Sequence, residues 1–324
     1  ISKLFGYEII DQNKFVSPTL EKKLNDDLSI INDKSIVLPL GEVTINKKIN
    51  SILTILRINT EIEICKKNKK RIFEFPKIEY TLRTINSVVN SCNEALKIFN
   101  NLKINLIVTD DHSTEENLLK IKKSIGKANF SSSIIKIKKD EFLDEINKKD
   151  ENNNVISENM ISNMKNIYKS VNLAKDVADD LVYFLEDDYI HEKNAISEML
   201  FTYEKIATQL DREIFLCPAD YPYLYSNIEK TSVFLGNMRH WRQINETLIT
   251  FLTSKKMLLK YMEKLKQMCT KRHHPMEKKL HEIYEKEICI SPIPSLSMHC
   301  ANVNSIYGIS PNFDWKKIWD ENKV

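Results

Sequence analysis

The sequence predicts an α/β fold with a mainly parallel central sheet flanked by helices. From Ser51 onward, short apolar runs alternate with longer segments whose apolar residues recur at helical spacing, as in consecutive β-α units. One of these runs, LVYFL (181–185), is entirely apolar, which is typical of a central strand buried on both faces. The predicted strands are 51–58, 102–113, 132–139, 180–190 and 213–222.

Segments with helical periodicity separate these strands. Ser157 is a predicted N-cap, and Pro275 is expected in the first turn of its helix. The segments 233–241 and 246–254 are predicted to form an antiparallel pair, and 287–300 a last strand or extended segment. The predicted helices are 78–99, 114–124, 157–178, 191–210, 255–269 and 274–286.

The chain is long enough, at 324 residues, to bury a full core. We predict an N-terminal extension over residues 1–48, one α/β domain over 49–300 and a C-terminal tail over 301–324. The sequence begins at Ile1, without an initiator Met or a signal-peptide pattern. We therefore expect a fragment of a longer protein, which leaves room for an upstream domain.

The composition indicates which classes of protein and which partners can be excluded. The chain is 42% hydrophobic and 29% charged with a net charge of only +3, so we expect a globular protein without a nucleic-acid partner. No stretch approaches 18 apolar residues, so we expect no spanning helix, and peripheral association with the inner face of a membrane stays open. The cysteines show no CxxC pair, which indicates reduced thiols and a cytoplasmic protein. They are Cys65, Cys92, Cys217, Cys269, Cys289 and Cys300.

Glycine is scarce, and its distribution excludes two kinds of phosphate site. A P-loop and a dinucleotide-binding turn both need clustered glycines so that the backbone can approach phosphate. If the protein binds a nucleoside diphosphate, we expect a metal ion to neutralise it. The five glycines are isolated from one another at Gly6, Gly41, Gly126, Gly236 and Gly308.

Two acidic clusters follow predicted strands. Asp110 and Asp111 lie where ligands bind in open α/β sheets, although a solvated turn with a helix N-cap would also explain them. Glu186, Asp187 and Asp188 follow the LVYFL run and should repel one another unless a cation lies between them. Their carboxylates suit Mg²⁺ or Mn²⁺, while the alternative is an acid-rich helix N-terminus.

The order and spacing of these clusters resemble a known family. IVTDDHS followed by FLEDDY is similar to the nucleotide-sugar-binding half of GT-A glycosyltransferases, in particular glycosyltransferase family 2. The EDD triplet resembles the metal motif of inverting N-acetylglucosaminyltransferases, and the resemblance covers roughly 51–300. His112 stands where family 2 commonly has glycine, and the QxxRW motif is absent. The resemblance implies a GT-A-like, Rossmann-type sandwich and a nucleotide-sugar donor.

The resemblance also implies roles for individual residues. Asp110 would contact a uridine-like nucleoside, with Asp111 beside it and with Arg57 and Thr60 near the base and ribose. An ordinary surface ion pair is the alternative for Arg57.

On the metal side, Glu186 and Asp187 would lie at the donor, with Asp187 flanking the ribose and the metal. Asp188 would be the direct ligand of Mn²⁺ or Mg²⁺. His299 is a second candidate ligand, because neutral imidazole is acceptable to Mn²⁺; a structural histidine is the alternative.

Two carboxylates are candidates for the base that deprotonates an acceptor hydroxyl. Glu277 is predicted at a helix N-terminus, where the resemblance would place such a base and where the helix dipole alone also favours an acid. Asp220 is the competitor, surrounded by tyrosines on which a sugar could stack. Trp241 and Arg242 could line the acceptor or phosphate side.

The sequence therefore predicts a metal-dependent glycosyltransferase. It would transfer a sugar from a nucleoside-diphosphate sugar, with UDP favoured, to a hydroxyl of a glycan or glycolipid in surface polysaccharide or glycoconjugate synthesis. We expect inversion, and a retaining mechanism, which needs no such base, stays open. The alternatives are a nucleotidyltransferase or other metal-dependent phosphoryl-transfer enzyme, with KKNKKR (66–71) at the phosphates, and a noncatalytic sugar-nucleotide-binding module.

Overall fold

The computed structural model describes residues 22–23, 34–37, 41–61, 71–226, 230–301 and 305–324. A small antiparallel sheet lies within the predicted N-terminal extension, with the strand order β1-β3-β2. Its strands are β1 (Lys22–Lys23), β2 (Lys34–Val37) and β3 (Gly41–Thr44).

The main body alternates strands and helices along the chain. Its strands are β4 (Ser51–Ile58), β5 (Lys103–Asp110), β6 (Ser131–Lys136), β7 (Leu181–Glu186), β8 (Tyr189–His191), β9 (Phe215–Leu216), β10 (Val233–Leu235), β11 (His240–Ile244), β12 (Phe251–Ser254), β13 (Cys289–Ile293) and β14 (Ser297–His299). Its helices are α1 (Lys77–Ile98), α2 (Glu115–Ile125), α3 (Glu158–Val177), α4 (Ala195–Leu210), α5 (Lys255–Lys260), α6 (Met262–Thr270), α7 (Lys278–Tyr284) and α8 (Trp315–Glu321).

The central sheet has the strand order β10-β11-β13-β9-β12-β7-β4-β5-β6. The strands β7, β4, β5 and β6 are parallel, as are β13 and β9, and the remaining neighbours are antiparallel. Helix α1 packs against α2 and α4, while α3 packs against α5 and α6. This arrangement confirms the predicted α/β class, with parallel strands in the central sheet and helices packed on its faces.

Apolar strands place the acids at one edge of the sheet. All eight residues of β4 are buried, and so are the first five of β7, because helices cover both faces of these strands. The parallel register pairs Arg57 with Glu186 and Ile58 with Asp110. The carboxyl ends of β4, β5 and β7 therefore meet side by side, and both acidic clusters lie there.

The predicted pairing of 233–241 with 246–254 is wrong. Strand β10 pairs with β11 through a tight turn in which Gly236 N–H donates to the carbonyl of Arg239, at 2.9 Å. The downstream segment instead provides β12, which is fully buried and inserts between β7 and β9. The local turn forms the hairpin, and the apolar strand is buried inside the sheet.

Two helix predictions also need correction. The predicted helix 255–269 is divided at Tyr261, whose φ of −111° and ψ of 18° interrupt the helical geometry between α5 and α6. Pro275 lies before α7 rather than in its first turn, since α7 begins at Lys278. The predicted cap is confirmed at Ser157, whose hydroxyl accepts from Met160 N–H at 3.3 Å.

The segment predicted as a tail contains α8, which packs on the main body. Trp319 is buried and stacks on Phe73, with ring centroids 4.1 Å apart. Arg83 lies over the indole at 4.1 Å and donates its Nε–H to the carbonyl of Trp319 at 3.2 Å. None of the helices in the described part of the chain has the length and apolar character of a membrane-spanning segment.

Candidate active site

A cavity of about 250 Å³ opens at the carboxyl ends of β4 and β7. Strand β4 contributes Arg57, the end of β7 contributes the acid triplet, and β14 contributes His299. The cavity thus unites residues that are distant in sequence. Its charged and histidine lining residues are Arg57, Arg71, Lys77, Glu186, Asp187, Asp188 and His299.

Each carboxylate of the triplet has its own nitrogen partner. The distances are 3.1 Å from Arg57 Nη2 to Glu186 Oε1, 3.4 Å from Lys77 Nζ to Asp187 Oδ2, and 3.5 Å from His299 Nε2 to Asp188 Oδ1. The repulsion from which the sequence predicts a bound cation is therefore smaller than expected, and the metal stays a prediction. The protein's own basic side chains offset much of that charge.

Asp187 is the most engaged of the three acids. Besides Lys77, its Oδ2 atom accepts from the hydroxyl of Thr81 at 3.0 Å and from the backbone N–H of Asn59 at 3.4 Å. These contacts tie the end of β7 to the first turn of α1 and to the residue after β4. Asp187 thus fixes the cavity wall through its Oδ2 atom.

Asp188 and His299 form the arrangement that best suits a metal. His299 donates its Nδ1–H to the carbonyl of Tyr307 at 2.6 Å, and its ring stacks on Tyr189 with centroids 4.4 Å apart. This bond turns Nε2 toward Asp188, as in proteins where a second partner fixes the tautomer of a ligating histidine. Burial alone would lower the pKa of His299, but the nearby Asp188 carboxylate has the larger effect, and the pKa of His299 is raised. Burial alone would raise the pKa of Asp188, but the nearby His299 has the larger effect, and the pKa of Asp188 is lowered.

The donor set of Asp188 and His299 fits Mn²⁺ or Mg²⁺ only in part. A carboxylate oxygen and an imidazole nitrogen are both acceptable ligands. No cluster of three or more His, Cys, Asp or Glu residues suited to a metal occurs among the described residues. A metal held here would therefore take its other ligands from water and from phosphate oxygens, as Mg²⁺ usually does.

The acids after β5 are buried in a turn beside the cavity. Ser113 N–H donates to Asp110 Oδ1 at 3.2 Å, and burial raises the pKa of Asp110. Asp111 accepts from the Ser162 hydroxyl, and His112 Nδ1 lies 2.6 Å from its Oδ1. Ser162 itself lines the cavity, so this turn adjoins the site without being part of its described lining.

The backbone at His112 has a conformation that glycine adopts more easily. Its φ of 75° lies in the left-handed region, which costs a side-chain-bearing residue more than glycine. Next to the same turn, the hydroxyl of Ser113 accepts from Thr60 N–H at 3.2 Å. Thr60 therefore lies against the turn that carries Asp110 and Asp111.

Glu277 lies just before α7 and is not among the residues that line the cavity, although the charges of the lining residues Glu186 and Arg57 act on its carboxylate. Its carboxylate has no ion-pair partner among the described residues of the chain. Burial, reinforced by the negative charge of Glu186, raises the pKa of Glu277 to about 7. A carboxyl group with this pKa can accept a proton near neutral pH.

Asp220 is held very differently. It is completely buried, and both the guanidinium of Arg242 and the hydroxyl of Tyr225 donate to its carboxylate. Arg242 also lies over the ring of Tyr225 at 4.4 Å, and the neighbouring Trp241 is buried in the core. These contacts form a structural ion pair in which both carboxylate oxygens of Asp220 are engaged.

Arg71 was predicted at phosphates only as the last residue of KKNKKR (66–71), under the nucleotidyltransferase alternative, and residues 66–70 of that run lie outside the described residues. Lys77 was not predicted as a site residue, since it directly precedes the predicted helix 78–99. A basic residue beside Pro76, where α1 begins, was the available signal. Asn163 was missed too; its Oδ1 accepts from Arg57 Nη1 at 3.0 Å.

Similarity to solved structures concerns the fold. The chain is similar to UDP-glucose pyrophosphorylase complexed with UDP-glucose (11% identity, TM-score 0.41, covering 84% of this chain and 98% of that one). It is also similar to S. aureus TarS 1-349 (12% identity, TM-score 0.40, covering 74% of this chain and 57% of that one). A third similar structure is mouse xyloside xylosyltransferase 1 (10% identity, TM-score 0.38, covering 72% of this chain and 76% of that one). The chain thus spans little more than half of TarS 1-349. No protein-family model and no curated protein matches the sequence.

Proposed function

We propose that the protein is a metal-dependent glycosyltransferase that uses a nucleoside-diphosphate sugar, with UDP-sugar favoured. The observation that carries the proposal is the Asp188–His299 pair, separated by 3.5 Å and lining a cavity at the carboxyl ends of the parallel strands. In open α/β sheets this edge is where nucleotides bind. Mn²⁺ or Mg²⁺ bound by this pair would stabilise the negative charge of the departing diphosphate.

The remaining site residues are assigned either to the nucleotide-sugar donor or to the acceptor. The nucleoside lies toward Arg57, Thr60, Asp110 and Asp111, which lie at the ends of β4 and β5 or just beyond them. A hydroxyl of a glycan or glycolipid approaches from the side of Glu277. That hydroxyl oxygen attacks the anomeric carbon, the bond from this carbon to the diphosphate breaks, and Glu277 accepts the hydroxyl proton. The product then has the inverted configuration.

A second candidate, a nucleotidyltransferase, is favoured by one observation. Two basic side chains, Arg71 and Lys77, line the same cavity and could bind the phosphates of a nucleoside triphosphate. Incubation with UTP and a sugar 1-phosphate, with pyrophosphate release as the readout, separates this activity from sugar transfer.

The first experiment measures thermal stabilisation by UDP with Mn²⁺ and with EDTA. At a UDP concentration of about 100 times Kd, the stabilisation should be roughly 2.7 kcal/mol, and we expect Mn²⁺ to lower the Kd by tenfold or more. Asp188→Ala should lose this Mn²⁺ effect and the transfer activity while keeping the fold. Asp179→Ala, at an exposed position just before β7, is the matched control. Equal UDP affinity with Mn²⁺ and with EDTA in the unmodified protein would remove the metal from the proposal.

A further inference from the structure

The segment between residue 71 and the start of α1 brings two basic side chains to the cavity. Arg71 and Lys77 both belong to its lining, and the guanidinium of Arg71 lies over the ring of Tyr80 at 5.1 Å. We propose that Arg71 and Lys77 bind the diphosphate of the donor directly, so that the protein retains affinity for the diphosphate without a metal. This inference rests on the proposed function and identifies the donor's diphosphate-binding residues.

Basic side chains in the cavity lining suit an anionic ligand. Arg57, Lys77 and His299 contact the three carboxylates, and Arg71 belongs to the same lining. Arg71 acts on Asp188 electrostatically, which places its charge on the metal side of the cavity. Guanidinium and ammonium groups bind phosphate oxygens through charge-assisted hydrogen bonds.

Lys77 is held in a fixed position. Its ammonium group lies 3.4 Å from Asp187, which also accepts from Thr81, and the side chain is buried. Since Lys77 is the first residue of the 22-residue helix α1, the positive end of that helix dipole lies at the same place. An anion in the cavity would therefore meet a pre-positioned ammonium group rather than a mobile surface lysine.

The backbone before Lys77 is also held by packing. Phe73 and Glu74 have φ values of 71° and 52°, so two successive residues adopt the left-handed region. Such a turn persists only where its surroundings stabilise it. Phe73 and Phe75 both stack on Trp319, at 4.1 Å and 5.5 Å between ring centroids. This packing holds the turn that lies between Arg71 and Lys77.

The test compares the affinities of UDP and uridine by calorimetry in EDTA. The unmodified protein should bind UDP roughly 10- to 100-fold more tightly than uridine, the range expected for hydrogen bonds to a charged group. Arg71→Ala and Lys77→Met should each reduce this ratio by about tenfold or more and leave uridine affinity unchanged. Lys120→Ala, which removes an exposed positive charge on α2, is the control and should keep the ratio.

The outcomes separate this inference from the proposed function. If the ratio of UDP affinity to uridine affinity in EDTA is unchanged in Arg71→Ala, the inference is overturned, even if Mn²⁺ still strengthens UDP binding through Asp188. A ratio near one in the unmodified protein in EDTA also overturns it. If Lys77→Met fails to fold because Asp187 loses its partner, Arg71→Ala decides the question alone, and circular dichroism verifies its fold.

Discussion

The environment of Glu277 determines what this residue can do. Its carboxyl group is shielded from water and lies near Glu186, and together these raise its pKa to about 7. Near neutral pH it is therefore present both as acid and as base, which suits it to accept a proton and release it afterwards. An exposed glutamate, with its ordinary pKa near 4.5, would be a weaker base.

Glu277→Gln keeps the size and hydrogen-bonding capacity of the side chain but cannot take up a proton. We expect transfer to fall by about 10² to 10⁴, with donor binding nearly unchanged. Because only the deprotonated carboxylate acts as a base, kcat/KM of the unmodified enzyme should rise as pH increases through about 7. Initial rates across this pH range should show that rise in the unmodified enzyme and not in the variant.

Asp220→Asn is the matched comparison for Glu277→Gln. It leaves the buried guanidinium of Arg242 without a carboxylate, so we expect a loss of stability on the order of 3 kcal/mol with little change in the rate per folded molecule. The roles of the two acids are exchanged if Asp220→Asn loses turnover while folded and Glu277→Gln does not. A product that keeps the donor's anomeric configuration contradicts the base role altogether.

Residues at strand ends could be located from the sequence, whereas residues in folded-back loops could not. Arg57 and Glu186 end apolar runs, and the carboxyl ends of parallel strands meet at one edge of a sheet. Arg71 lines the same cavity from a loop, just before a turn with two positive φ values. No periodicity in the sequence encodes that turn.

At the scale of elements, α8 and the turn at 71–76 act as one unit. Trp319 contacts the rings of Phe73, Phe75 and Tyr80 and the guanidinium of Arg83. A buried indole of this kind contributes through both its apolar area and its cation–π contact. Helix α8 therefore supports the turn from which Arg71 enters the cavity.

Trp319→Ala should lower the free energy of unfolding by about 3 to 5 kcal/mol, the usual cost of removing a buried tryptophan side chain. It should also weaken UDP binding more than uridine binding, because the turn that carries Arg71 loses its support. Trp319→Phe should restore most of both properties. Denaturant unfolding and calorimetry measure the two effects.

Trp315→Ala is the control for Trp319→Ala. Trp315 is 40% exposed and its ring centroid is 5.4 Å from that of Phe73, so its removal should change both properties little. If Trp319→Ala weakens uridine and UDP binding equally, α8 stabilises the domain without positioning Arg71.

The sequence pattern predicts which segments form strands, but it does not always predict which strands are neighbours in the sheet. Strands β4, β5 and β7 were predictable because each is a mainly apolar run; β4 and β7 end at the cavity, and β5 ends beside it. Strand β12 has only four residues, and its partners β7 and β9 are chosen by burial of its side chains in the sheet. Local pattern could identify that strand but not its neighbours.

At the scale of the whole molecule, the two halves of the sheet should respond differently to the donor. The cavity lies at the carboxyl ends of the parallel strands β4 and β7. The β10–β11 hairpin forms the side of the sheet that is farthest from β6 in the strand order. We expect UDP with Mn²⁺ to slow amide hydrogen exchange at 57–61 and 71–81 and to leave 233–244 unchanged. Exchange mass spectrometry measures this, and protection confined to the hairpin would place the nucleotide elsewhere.

The support that α8 gives the cavity also has a consequence for biosynthesis. Arg83 and Trp319 lie 236 positions apart in the chain, and a ribosome releases the earlier residue long before the later one. Strands β4 to β7 can pair while α8 is still to be translated, so a nascent domain has its sheet before its diphosphate-binding turn is supported. If the proposed donor binding needs this support, it is acquired only after α8 has been translated.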